Sequence, residues 1–105
     1  MAFDLVIGKS DKVKDDPVIF GSIEHDDYIA ITRLDKKHPN WFLNRMSNVF
    51  DDQRFGADEL AQAAEILDEL ILKTRESEDC RVLLKLSAAV SMAIRKGFPL
   101  FGVAD

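Results

Sequence analysis

Residues 3–7 alternate along the chain. Phe3, Leu5 and Ile7 fall on one side, Asp4 and Val6 on the other, and a half-buried strand is expected there. Gly8 ends it. The stretch KSDKVKDD over 9–16 is polar and charged and reads as a loop closed by Pro17. Val18, Ile19 and Phe20 then favour a second strand, stopping near Gly21 and Ser22. Residues 23–34 fit two states. Ile29 and Ile31 suit a strand. Asp26 or Asp27 would cap a short helix through Tyr28, Ile31 and Leu34. After a loop at 35–39, Pro39 suits the first turn of a helix. Trp41, Phe42, Arg45, Met46, Val49 and Phe50 recur at spacings of three and four, which predicts a helix over about 40–51. DDQRFG at 51–56 breaks the pattern.

The clearest helix follows. Leu60, Ala63, Ala64, Leu67, Leu70, Ile71 and Thr74 form one stripe, with Gln62, Glu65, Glu69, Lys73 and Glu76 opposite. Asp58 and Glu59 suit its positive N-terminal end. Ser77, Glu78 and Asp79 read as a hinge, with Asp79 as N-cap of a last helix over about 80–96. That helix is apolar nearly all round, which predicts a central, covered position. Gly97 and Pro99 end it, and Leu100, Phe101 and Val103 allow a closing strand beside the first one. The expected architecture is one α+β domain over 1–105. Its N-terminal strands and C-terminal strand form a small sheet covered by three to four helices.

Composition narrows the function classes. The 105 residues are 47% hydrophobic, as expected of a folded chain, and carry a net charge of −5. Direct binding to nucleic acid or to an anionic membrane is not expected, because phosphates need clustered Lys and Arg. A single cysteine leaves no intrachain disulfide and fits a reducing compartment. No apolar run is long enough to span a membrane, and the start lacks the basic region of a signal peptide, so the cytoplasm is the expected location.

The charge is unevenly placed. Residues 51–79 hold ten acids and three bases, a net of −7, while 80–105 carries +3. Such a segment forms either an ordinary solvated helix face or a surface for a basic partner, where complementary charge speeds encounter and sets specificity. Candidate partner-binding residues are Asp51, Asp52, Asp58, Glu65, Asp68, Glu69 and Glu76, with Trp41 and Tyr28 as apolar anchors or core residues.

Other chemistry is weakly signalled. His25, Asp26, Asp27 and His38 offer metal-ligand types for a small metal-dependent enzyme or regulator, but share no ligand spacing, and turn or cap roles suit the aspartates. Cys80 lies at a predicted helix N-terminus without a neighbouring His, as expected of a small packing residue. No nucleophile elbow, phosphate loop or cofactor motif is present, so neither catalysis nor a cofactor is expected. A homodimeric adaptor built on the last helix is a further alternative.

Several short segments carry a family resemblance: MAFDLVIG at 1–8, FGSIEH at 20–25, Phe50-Asp51-Asp52, the Asp58-Glu59-Leu60 to Asp68-Glu69-Leu70 helix, and FPLFGVAD at 98–105. Over nearly its full length the chain resembles small bacterial immunity proteins found beside polymorphic toxins, including those of contact-dependent growth inhibition systems. The resemblance favours helix over strand for 26–34. It implies a non-catalytic cytoplasmic protein that binds and neutralises a cognate toxin domain, often an RNase or DNase. The complex would be 1:1 with a monomer, or would involve a homodimer. It transfers no binding residue.

Overall fold

The computed structural model describes residues 3–104. Met1, Ala2 and Asp105, which belong to the end segments cited above, lie outside them. Among the described residues four strands and four α-helices follow in the order β1 (Phe3–Ile7), β2 (Val18–Ile23), α1 (His25–Lys37), α2 (Trp41–Ser47), β3 (Gln53–Phe55), α3 (Ala57–Lys73), α4 (Ser77–Lys96) and β4 (Leu100–Ala104), with a short 3-10 turn at Val13–Asp15 between the first two strands. The sheet order is β2-β1-β4-β3 with every neighbour antiparallel, and the class is α+β, as the hydrophobic pattern predicts.

The sheet's alternation sets up its two faces. Phe3, Leu5 and Ile7 of β1 pair with Ala104, Gly102 and Leu100 of β4, and all six lie on the face that meets the helices. Asp4, Val6, Phe101 and Val103 point the other way. At the centre of the covered face the far end of the Phe3 ring lies against Gly102. A Cβ at Gly102 would fall inside that ring. Glycine is required here by close approach and not by an unusual φ.

α4 packs on β1 and β4 and also meets α1 and α3. Val82, Leu83, Leu86, Ala89, Val90 and Ala93 form its buried stripe at three- and four-residue spacing. The expectation of cover on several sides holds only in part, since Leu84, Met92 and Ile94 are exposed. At its C-terminal end Gly97 adopts φ 70°, the Gly97 amide donates to Ile94, and the Phe98 amide donates to Ala93. This pair of bonds closes the helix and turns the chain toward β4.

Several expected boundaries are corrected. β2 runs through Gly21 and Ser22 to Ile23. Gly21 pairs in register with Leu5, and the bulge opposite Leu5 and Val6 takes in Phe20, so Gly21 lies within the strand and does not end it. The ambiguous segment is helix α1, begun at Glu24, whose amide donates to Asp27 Oδ2 at 3.1 Å. α2 stops at Ser47, four residues earlier than expected. Val49 stays buried from a turn, and so continues the apolar spacing without continuing the helix. The break at 51–56 contains β3. The last helix begins at Ser77, and the hinge is displaced to 74–76.

Gly102→Ala is expected to cost about 1–3 kcal/mol in urea unfolding, as overpacking does. In a Phe3→Leu background the same substitution should cost clearly less, because the ring that excludes the methyl is gone. Equal costs in the two backgrounds would show that the Phe3 ring does not set the requirement.

Candidate functional site

The acidic segment 51–79 spreads over a turn, β3, α3 and the start of α4, and most of its carboxylates are already engaged. Asp51 accepts from Asn48 Nδ2 at 3.0 Å within the turn after α2. Asp52 Oδ1 accepts from the Ala104 amide at 2.8 Å, tying that turn to the end of β4. Glu59 is held by Arg45. Glu69 pairs with Lys73 at 3.1 Å, the i,i+4 pair legible in the sequence, and Glu76 pairs with Lys37 at 3.6 Å. Asp79 is not the N-cap of α4 but lies inside its first turn, 1% exposed, paired with Arg33 of α1. A carboxylate so deeply buried is held in place by its cation, since an unpaired charge there would be very costly. The hydrogen bond to Asp79 raises the Arg33 pKa above its ordinary value against the opposing effect of burial, so the guanidinium stays charged.

Asp58, Glu65 and Asp68 form no ion pair among the described residues. All three are exposed on α3. With Glu69 they occupy an arc of about 100° around the helix, at 3.6 residues per turn. Leu72 falls inside that arc and is 88% exposed. The outer face of α3 is therefore a row of carboxylates with one protruding leucine at its C-terminal end. The sequence pattern shows the acids but passes over Leu72, because the core stripe is complete without it.

The aromatic candidates are turned inward. Trp41 is half-buried, its ring 5.8 Å from Phe42 in an edge-on contact and 6.4 Å from Phe55. Tyr28 is half-buried and packs against the core.

The metal-ligand candidates separate. His25 opens α1 and His38 closes it, thirteen residues apart, or about 20 Å along a helix. Asp27 is occupied by Lys85 Nζ at 2.7 Å as well as by the Glu24 amide, and Asp26 is exposed. Among the described residues no group of three or more His, Cys, Asp or Glu is placed to hold a metal ion. Cys80 is half-buried and its thiol donates to the Thr74 carbonyl at 3.2 Å.

Arg45, which sequence reasoning treated only as part of a helical spacing, organises the approach to this surface. From α2 it donates to Gln53 Oε1 at 3.0 Å and to the Arg54 carbonyl at 2.8 Å, pairs with Glu59, and lies 4.2 Å over the Phe55 ring. One guanidinium thus joins α2, β3 and the first turn of α3. Its planar fork explains why arginine and not lysine fills the position.

Compared with protein-family models, with curated proteins and with solved structures, the chain matches none. Among the described residues no helix is long and apolar enough to cross a membrane.

Arg45→Met should lower stability by about 2 kcal/mol, the scale of losing charge-assisted hydrogen bonds. Arg54→Met, at an exposed arginine without an ion pair, should stay within about 0.5 kcal/mol. Urea unfolding followed by Trp41 fluorescence separates the two, and equal effects would remove Arg45 from its organising role.

Proposed function

We propose that this chain is an immunity protein that binds and neutralises a cognate toxin domain, a basic nuclease, through the outer face of α3. One observation carries the reading. Among the described residues Asp58, Glu65 and Asp68 form no ion pair, they share one exposed helix face, and Leu72 protrudes at the C-terminal end of that face. An enzyme that holds polyanions has a positive cleft, and a row of free carboxylates on a rigid helix complements it. Leu72 supplies the apolar contact that long-range charge attraction lacks. Of the other candidate acids, Glu69 belongs to the same face through an exposed pair with Lys73. Asp51, Asp52 and Glu76 make contacts within the fold and form at most its margin. The resemblance to immunity proteins supports a toxin as the partner, and inhibition by occupancy requires no catalytic group.

The test uses the toxin domain of the effector encoded beside this chain. A 1:1 complex is expected, forming faster at low salt. Reversing Glu65, Asp68 and Glu69 to Lys should slow association by about tenfold or more and flatten its salt dependence. Leu72→Ala should mainly speed dissociation. An unchanged association rate in the triple variant would rule out the acidic-face mechanism. A toxin domain that forms no complex with the unaltered chain would rule out the immunity reading itself.

A further inference from the structure

Between the start of α3 and the end of α4 lies an open pocket of about 330 Å³. Leu60 of α3, Ala93 and Ile94 of α4, and Phe98 and Pro99 of the connection to β4 make most of its wall. The charged lining residue is Arg54. Its backbone is fixed, since the Arg54 carbonyl accepts from Arg45 and β3 pairs Arg54 with Phe101. Its guanidinium lies against Gly56, with Nη1 3.4 Å from where a Cβ on that glycine would sit. Among the described residues Arg54 forms no ion pair. Glu59 is taken by Arg45, and Asp58 does not line the pocket.

We propose that this pocket is a binding site for a small carboxylic acid with an apolar body, the carboxylate on Arg54 and the body between Leu60, Ile94 and Phe98. Apolar walls with one fixed polar group are the usual make-up of a small-molecule site, and the volume lies at the lower end of such pockets. At roughly 30 Å³ per water-sized group, it holds on the order of ten non-hydrogen atoms, the size of a short-chain or arylacetic acid. The charge selects the class. A planar guanidinium donates two parallel hydrogen bonds to a carboxylate, and among the described residues no carboxylate pairs with Arg54. The proposal is independent of the toxin-binding reading, because Asp58, Glu65, Asp68 and Leu72 are not among the pocket's lining residues.

Octanoate and its neutral analogue octanamide are the probes, titrated into the isotope-labelled full chain and followed by amide NMR shifts. Saturable shifts are expected at Gly56, Ala57, Ala61 and Gly97, with octanoate half-saturating at about 1 mM or below. Octanamide should bind about tenfold more weakly, and Arg54→Met should reduce octanoate to the octanamide level. Ala61→Phe, at an exposed rim position, should fill the mouth and abolish both without disturbing the core. Absence of saturation, or shifts confined elsewhere, would overturn the site. Equal binding of the two probes, or an unaffected Arg54→Met variant, would make the pocket a seat for an uncharged apolar group such as a partner's side chain, and would overturn the carboxylate assignment.

Discussion

Burial of the α4 stripe against the two central strands is the contact on which the other parts rest. Val82, Leu83, Leu86, Ala89, Val90 and Ala93 sit at or near zero exposure. Below them Phe3, Leu5, Ile7 and Leu100 are equally closed. Each large side chain so buried contributes about 1.5–3 kcal/mol of transfer free energy, so this layer outweighs any single polar contact in the molecule. α1 and α3 then flank α4, each with its own apolar stripe. The outward direction of Asp58, Glu65, Asp68 and Leu72 follows directly, because Leu60, Ala63, Leu67 and Leu70 must face inward.

Polar contacts refine this arrangement at its seams. Arg33 and Asp79 join α1 to α4. Lys85 of α4 reaches both Asp27 and the Ser22 carbonyl, and Arg45 joins α2 to β3 and α3. In each case a long basic side chain covers apolar surface with its stem and places its charge on an acid or carbonyl at the boundary between elements. The acids left over are those that no seam uses. Three of them, Asp58, Glu65 and Asp68, gather on the exposed outer face of α3.

Much of the fold was legible because its periodic elements are long. α3 and α4 announce themselves through stripes that repeat over four or five turns, and β1 and β4 through simple alternation. β3 was illegible because three residues, Gln53, Arg54 and Phe55, carry no period, and what makes them a strand is tertiary: the ladder to β4, the burial of Phe55, and the contacts of Arg45 and of Asp52 with Ala104. Asp79 was misread because an acid near a helix start resembles a cap, whereas its partner Arg33 stands 46 positions away. The site was half legible. Charge density located α3, but which carboxylates are free depends on tertiary pairing. Leu72 and the Arg54 pocket have no mark in the sequence, since an exposed leucine and an unpaired arginine are defined only by what fails to reach them.

The pairing of Phe3 with Ala104 places nearly the first and nearly the last described residues shoulder to shoulder in the middle of the sheet. During synthesis on the ribosome β1 is made well before β4, and this inner neighbour cannot join it until the chain has been made through residue 104. Until then the nascent β1–β2 ribbon exposes Phe3, Leu5 and Ile7 with only helices to shelter them. Contacts so remote in sequence slow closure of the sheet.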